Sequence, residues 1–179
     1  QMCSTTAGFS VGEITSLIFS GAIDFDQGIQ LIKVRSKAMQ VASEMCQGAM
    51  ATIFYGADVK LSEALNEAKN WCIDKGIDNP DCKVASYLNS GSKVISGNVE
   101  AIEFLMRNSS KYRIKKVILM HNVKGAFHSE LMQPAADTLR KALEHINIDK
   151  PIISCFSNVT GKKYGNAAQI KKVLPHQIV

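Results

Sequence analysis

Several features that define special classes of protein are missing from this sequence. It has no run of about 18 apolar residues, which a membrane-spanning helix requires, and no basic segment followed by an apolar one at its start, which is typical of a secretory signal. The first residue is Gln1, so we expect any targeting segment to precede it. The chain has 179 residues, 46% of them hydrophobic and 21% charged, a composition typical of one or two compact globular units.

Metal-binding and disulfide patterns are also missing. The five cysteines are an odd number, form no C-x-x-C pair and have no histidine at metal-ligand spacing: Cys3, Cys46, Cys72, Cys82 and Cys155. We interpret them as free or buried thiols of a reducing compartment, and we expect no metal site.

Positive charge exceeds negative charge, with a net value of +5. The basic clusters are Lys111-Tyr-Arg113-Ile-Lys115-Lys116 and the pairs Lys162-Lys163 and Lys171-Lys172. Few aromatic residues lie between these charges and no nucleic-acid-binding module is recognisable, so we expect no nucleic-acid partner. Two interpretations stay open: a solvated lysine surface, or a surface that attracts an acidic protein or phosphorylated cofactor.

The most specific local pattern is Gly8-Phe-Ser10-Val11-Gly12, a G-x-S-x-G sequence followed by a helical pattern. Such a serine lies at a sharp strand-to-helix turn, which exposes its hydroxyl for nucleophilic attack. We expect both glycines where the backbone turns tightly, and the amide of Val11 as one oxyanion donor. The pattern also occurs by chance, so Ser10 needs partners elsewhere in the chain. We further expect the strand before it to lie upstream of Gln1.

A helix is predicted from Asp24 or Asp26 to about Met45. Its apolar stripe is predicted to comprise Leu31, Val34, Ala38, Val41, Ala42 and Met45. Arg35 is placed at the margin of this stripe. Its guanidinium either reaches solvent or binds an anion, because a buried unpaired charge is costly.

Residues 49–120 have a different organisation. The pattern predicts a strand, a helix, two strands joined by Asn89-Ser-Gly-Ser92, a second helix and a last strand. This βαββαβ order is the ferredoxin-like arrangement. We predict a subdomain at 49–120 inserted into a core made of 1–48 and 121–179.

His128 lies between a loop and a predicted helix with the apolar face Leu131, Ala135, Leu139, Ala142 and Ile146. An imidazole with a pKa near 6.5 accepts and returns a proton near neutral pH, so His128 is the candidate base for Ser10. The alternative is a helix cap or surface histidine. No Asp or Glu is placed as a third catalytic member. Glu13, in the first helical turn, is assigned a dipole or structural role.

Taken together, G-F-S-V-G-E with Ser10, V-R-S-K-A-M-Q with Arg35, the ferredoxin-like insert, G-A-F-H-S with His128, and S-N-V-T-G resemble the malonyl-CoA:acyl carrier protein transacylases, most closely the animal mitochondrial branch. The resemblance covers essentially the whole chain. It implies an α/β fold whose α/β-hydrolase-like core is incomplete at both ends, and hence an internal fragment of a longer protein. The family's oxyanion glutamine would precede Gln1, and its His-orienting backbone carbonyl would follow Val179.

The resemblance also implies a mechanism and a set of residue roles. Ser10 would carry the malonyl group from malonyl-CoA to the phosphopantetheine thiol of acyl carrier protein, with His128 as the base and no cofactor. Arg35 would bind the malonyl carboxylate, Phe127 would disfavour methylmalonyl, and Asn89 would match a cleft asparagine. Asn158 would shape a loop near the site. The resemblance further implies a mitochondrial matrix enzyme in fatty acid synthesis, monomeric and without membrane contact, whose basic segments would face the carrier protein.

Three alternatives stay open. The chain would otherwise be the acyltransferase domain of a multidomain fatty acid or polyketide synthase. A serine esterase or lysophospholipase would keep Ser10 without needing Arg35. A non-enzymatic protein would use only the basic surface.

Overall fold

The computed structural model describes residues 3–179. In chain order its elements are β1 (Thr5–Ala7), α1 (Val11–Phe19), α2 (Phe25–Met45), β2 (Gly48–Tyr55), α3 (Leu61–Asp74), β3 (Cys82–Asn89), β4 (Ser92–Asn98), α4 (Val99–Asn108), β5 (Ile114–Leu119), α5 (Gln133–Glu144), β6 (Ser154–Phe156) and α6 (Ala167–Val173). Short 3-10 turns lie at Ser109–Tyr112, Glu130–Met132 and Leu174–Ile178.

The chain divides into two compact units. One comprises the described residues up to Met39 together with Pro134–Val179, and the other comprises Gln40–Gln133. The domain boundaries inferred from the sequence, 49–120 within 1–48 and 121–179, stay a prediction.

A parallel pair of short strands carries the G-x-S-x-G turn in the first unit. Strand β1 pairs with β6 from Thr5↔Ser154 to Ala7↔Phe156, and α1 begins four residues after β1 ends. The expectation that the strand before the turn lies wholly upstream of Gln1 is therefore wrong. Three residues of strand suffice to form the strand-to-helix turn.

Helix α2 buries a different stripe from the predicted one. Asp24 caps its start, because its Oδ1 accepts a hydrogen bond from the Asp26 amide at 3.0 Å. The buried positions follow helical spacing and comprise Gly28, Leu31, Arg35, Met39 and Ala42. Three residues of the predicted stripe are exposed instead, namely Val34, Val41 and Met45. Arg35 therefore lies at the centre of the buried face, not at its margin.

The second unit contains a four-stranded antiparallel sheet. Its strand order is β3-β4-β2-β5, so the first and third strands of the βαββαβ run are central. This is the ferredoxin-like arrangement that the sequence predicts. The β3–β4 hairpin closes at the Asn89↔Ser92 pair.

Apolar residues from the sheet and from both helices form the core of this unit. Ile53 and Ile95 from the central strands and Leu105 from α4 are fully buried in it, beside small residues of α3, Ala64 and Ala68. Burial of a large aliphatic side chain contributes about 1.5–3 kcal/mol. Small α3 residues permit close helix packing.

Two whole-chain features bear on function. None of the helices within residues 3–179 is long and apolar enough to cross a membrane. The five cysteines are free, and Cys72, Cys82 and Cys155 are buried. Burial raises the pKa of the Cys82 thiol, which keeps it in the unreactive protonated form.

Candidate active site

The backbone at Ser10 has the strained geometry of a nucleophile elbow. Ser10 is the residue before α1, with φ 53° and ψ −119°, a region that residues with a side chain rarely adopt. Such strain costs about 1–3 kcal/mol and is concentrated at functional sites. Of the four non-glycine residues with positive φ among residues 3–179, two are the predicted catalytic residues, Ser10 and His128.

The two glycines that flank Ser10 are not equivalent. A Cβ on Gly8 would lie 1.9 Å from the carbonyl oxygen of Gly12, so the strand and the helix approach too closely for any side chain there. A Cβ on Gly12 would meet nothing within 4 Å. The expectation that both glycines are required by the tight turn is therefore correct for Gly8 and wrong for Gly12.

The backbone amides of Ser10 and Val11 differ in their hydrogen bonding. The Ser10 amide donates to Asn158 Oδ1 at 2.8 Å, which attaches the Ser157–Gly161 turn region to the elbow. Val11 provides the first amide of α1, and amides of the first helical turn have no partner within the helix. The oxyanion role of Val11 stays a prediction.

Arg35 extends from the buried face of α2 to the serine. Its side chain is 5% exposed, and its Nη2 donates to Ser10 Oγ at 2.7 Å and to Gln177 Oε1 at 3.3 Å. Its Nε has no hydrogen-bond partner among the described residues. Burial lowers the pKa of Arg35, and the negative charge of Glu13 opposes this effect. Of the two interpretations open from sequence, solvent exposure of the guanidinium is therefore excluded.

Glu13 is the centre of a buried polar network. Its side chain is fully buried, and its Oε1 accepts hydrogen bonds from the Asn158 amide at 2.8 Å and the Tyr164 hydroxyl at 2.7 Å. Its Oε2 accepts from Gln177 Nε2 at 2.9 Å. Burial raises the pKa of Glu13, and the hydrogen bonds that it accepts act in the opposite direction. The structural role predicted for Glu13 is therefore to connect three segments: the elbow, the turn that contains Asn158 and the 3-10 turn at Leu174–Ile178.

Three predicted site residues lie in the second unit. His128, with φ 62°, is half-buried, and next to it the Ser129 hydroxyl donates to the Ala126 carbonyl at 2.6 Å. Phe127 is half-buried in the same loop. Asn89 is exposed in the hairpin turn, where its Oδ1 accepts from the Gly91 amide at 2.9 Å. The pairing of His128 with Ser10 and the substrate contacts of Phe127 and Asn89 stay predictions.

Sequence reasoning missed Tyr164 and Gln177. Each lies outside any recognisable motif, and only their burial as polar side chains identifies them. Within residues 3–179 no group of three His, Cys, Asp or Glu residues could hold a metal ion.

The model of the acyl transferase domain matches residues 3–173. The chain belongs to the acyl transferase domain family. The family resemblance predicted from the ordered motifs is thereby confirmed.

Individual members of the acyl transferase domain family are similar to this chain in sequence and in structure. The probable mitochondrial malonyl-CoA-acyl carrier protein transacylase of Drosophila melanogaster is 44% identical over 100% of this chain and 47% of its own length. The crystal structure of an acyl carrier protein S-malonyltransferase from Vibrio cholerae matches with a TM-score of 0.88 at 28% identity, over 99% of this chain and 55% of that one. The chain thus spans about half the length of these relatives. The α/β fold class is confirmed.

A third match, to another acyl transferase, includes a partner. It is a malonyl-transacylase solved in complex with a type II PKS acyl-carrier protein, with a TM-score of 0.86 and 30% identity, over 99% of this chain and 55% of that one.

Proposed function

We propose that the protein containing this chain transfers a malonyl group from malonyl-CoA to the phosphopantetheine thiol of an acyl carrier protein, through an ester on Ser10. The observation that carries the proposal is the buried Arg35 guanidinium, 2.7 Å from Ser10 Oγ, with an unpartnered Nε. An acyl group attached to Ser10 that ends in a carboxylate would bind this cation through paired hydrogen bonds.

During acylation His128 first accepts a proton from Ser10 and then donates it to the leaving thiolate. Ser10 Oγ attacks the thioester carbonyl while His128 takes its proton, and the Val11 amide stabilises the resulting oxyanion. The carbon–sulfur bond then breaks, and the thiolate of coenzyme A takes the proton from His128. This leaves a malonyl ester on Ser10.

Transfer repeats these steps in reverse. His128 takes the proton of the phosphopantetheine thiol, whose sulfur attacks the ester carbonyl. The carbon–oxygen bond breaks, and Ser10 Oγ recovers its proton from His128. The two half-reactions give ping-pong kinetics and need no cofactor.

Selectivity follows from the fixed cation. An acetyl group leaves Arg35 buried without an anion, so it gains none of the charge-assisted hydrogen bonds available to malonyl. The Phe127 ring would occupy the space that the extra methyl group of methylmalonyl needs, and Asn89 would line the cleft.

The acidic carrier protein is the proposed partner. The solved complex of a related transacylase with an acyl carrier protein supports this assignment. In the second unit, Lys111 and Arg113 pair with Glu67 and Asp58, whereas the exposed Lys115 and Lys116 form no ion pair among the described residues. These two lysines therefore provide net positive charge that would steer an acidic protein.

The Drosophila relative is named as mitochondrial, which supports a mitochondrial location for the protein that contains this chain. The matrix as its compartment and fatty acid synthesis as its pathway are parts of the same proposal.

The decisive experiment traps the ester. The complete protein that contains this chain is incubated with malonyl-CoA and analysed by intact mass and peptide mapping. We expect one malonyl adduct on Ser10, lost when phosphopantetheinylated carrier protein is added. Ser10→Ala should abolish it, and Ser20→Ala, at a buried serine bonded to the Leu17 carbonyl, should not. An adduct on another residue, or hydrolysis without transfer to the thiol, would contradict the proposal.

A further inference from the structure

One side-chain amide connects two buried charges of opposite sign. Gln177 Nε2 donates to Glu13 Oε2 at 2.9 Å, and Gln177 Oε1 accepts from Arg35 Nη2 at 3.3 Å. The same Arg35 nitrogen donates to Ser10 Oγ at 2.7 Å. A continuous series of hydrogen bonds therefore joins the buried carboxylate to the nucleophile.

The chemistry of the two charged groups fixes the orientation of this amide. An ionised carboxylate only accepts hydrogen bonds, and a guanidinium only donates them. A glutamine between them satisfies both only when its NH2 faces Glu13 and its oxygen faces Arg35. The carboxylate itself is held by the Asn158 amide and the Tyr164 hydroxyl on its other oxygen.

The amide also keeps the two charges apart. Glu13 is fully buried and Arg35 is 5% exposed, yet no salt bridge joins them within residues 3–179. A direct carboxylate–guanidinium pair would occupy the donor fork that a substrate carboxylate needs. With an amide as neighbour, the guanidinium is held in place and keeps its charge.

We propose that Gln177, oriented by Glu13, is a positioning residue that holds the Arg35 guanidinium beside Ser10 without neutralising it. In this proposal Arg35 binds the carboxylate of the acyl group, and the side-chain amide of Gln177 holds Arg35 in position. The inference rests on the proposed malonyl transfer and extends it to residues outside the recognisable motifs.

The test is a double-mutant cycle in the complete protein. Gln177→Met keeps the length of the side chain and the backbone of Gln177 but removes both amide hydrogen bonds. We expect malonyl kcat/KM to fall about tenfold to a hundredfold, mainly through KM, because a hydrogen bond to a charged group is lost. Acetyl transfer, which does not use the guanidinium, should change less than about threefold. Added to Arg35→Ala, the substitution should cause little further loss, because Gln177 acts through Arg35.

A matched control is available in the same unit. Gln169 is half-buried at the start of α6, and its Oε1 accepts from the Gly165 amide at 2.8 Å. Gln169→Met removes a comparable glutamine bond at a position that the mechanism does not use, so both acyl transfers should stay at the wild-type level. Thermal melts of each variant separate loss of fold from loss of site.

A second substitution tests the charge argument directly. Gln177→Glu keeps an acceptor facing Arg35 but places a carboxylate there, and this should reduce malonyl transfer more than Gln177→Met does while acetyl transfer persists. The inference is overturned by equal losses for malonyl and acetyl, or by additive effects of Gln177→Met and Arg35→Ala. If Gln177→Met does not fold, Gln177→Glu decides by the same comparison. A wild-type protein without malonyl transfer overturns the proposed function, and the inference with it.

Discussion

The inequality of the two elbow glycines gives the sharpest prediction. A methyl group on Gly8 would lie 1.9 Å from the carbonyl oxygen and 2.1 Å from the carbonyl carbon of Gly12, and 2.6 Å from the amide nitrogen of Glu13. All three are backbone atoms of the first turn of α1, so no side-chain rotation relieves the contact. The start of α1 must move away from β1 in Gly8→Ala. Gly12→Ala places the same methyl group in open space.

The expected magnitudes follow from these contacts. Overpacking typically costs about 1–3 kcal/mol, and a contact this short with rigid backbone places Gly8→Ala at about 3 kcal/mol or more. Gly12→Ala should instead change stability by at most about 1 kcal/mol, in the stabilising direction, because alanine restricts the unfolded chain. Urea denaturation of both variants in the complete protein measures the difference. Gly8→Ala should also slow formation of the Ser10 ester, because the shift displaces Ser10 and the Val11 amide together.

The comparison is easily refuted. Equal stabilities of the two variants would show that the strand and the helix can separate without cost, and the close approach would then not hold the elbow. Full esterification of Ser10 in Gly8→Ala would show that its strained backbone does not depend on this contact.

Three other predictions address the charged groups. Arg35→Lys should lower malonyl kcat/KM about tenfold to a hundredfold and leave acetyl transfer unchanged, because an ammonium cannot form the paired hydrogen bonds; equal losses in steady-state assays would contradict this. Burial raises the pKa of Glu13 in the folded protein, so the folded state loses stability as pH rises from about 4.5 through this raised pKa. Over that interval, urea titrations should show the stability of the wild type falling relative to that of Glu13→Gln. A rise would refute the argument. Tyr112→Phe should cost about 1–2 kcal/mol, because its hydroxyl donates to Glu67 at 2.6 Å and the ring is buried. Lys111→Met removes an exposed ion pair with the same carboxylate and should therefore destabilise the protein less than Tyr112→Phe does; the reverse order in urea denaturation would contradict this.

Local signals predicted the second unit almost completely. The sequence pattern of residues 49–120 predicted the order of strands and helices, and the turn-rich segment Asn89-Ser-Gly-Ser92 placed the hairpin. Such strand, helix and turn preferences arise from residues that are adjacent in the chain, so they can be recognised without knowledge of tertiary contacts. The ferredoxin-like strand order then follows from the βαββαβ run.

The buried stripe of α2 was predicted in the wrong phase for a physical reason. Counting apolar residues assigned Val34 and Val41 to the core and placed Arg35 outside it, because a cation is normally excluded from a buried face. In the structure the cation is the centre of that face, and both valines are exposed. A hydrophobic pattern cannot predict the orientation of a helix that buries a charged side chain. The polar groups that stabilise the buried charge come from distant positions in the sequence.

Those partners explain both the error and the site. Gln177 and Glu13 are 164 positions apart in sequence, and Asn158 is 148 positions from Ser10, yet each pair is joined by a hydrogen bond. A buried arginine with only apolar neighbours would destabilise the fold, so its burial requires polar groups to be assembled around it. The serine motif shows where the nucleophile lies, but only the assembled network shows that the nearby charge is held in place and still available. A general serine hydrolase has no use for such a charge. An acyl transferase whose substrate ends in a carboxylate does, and the exposed valines of α2 are a consequence of the same requirement.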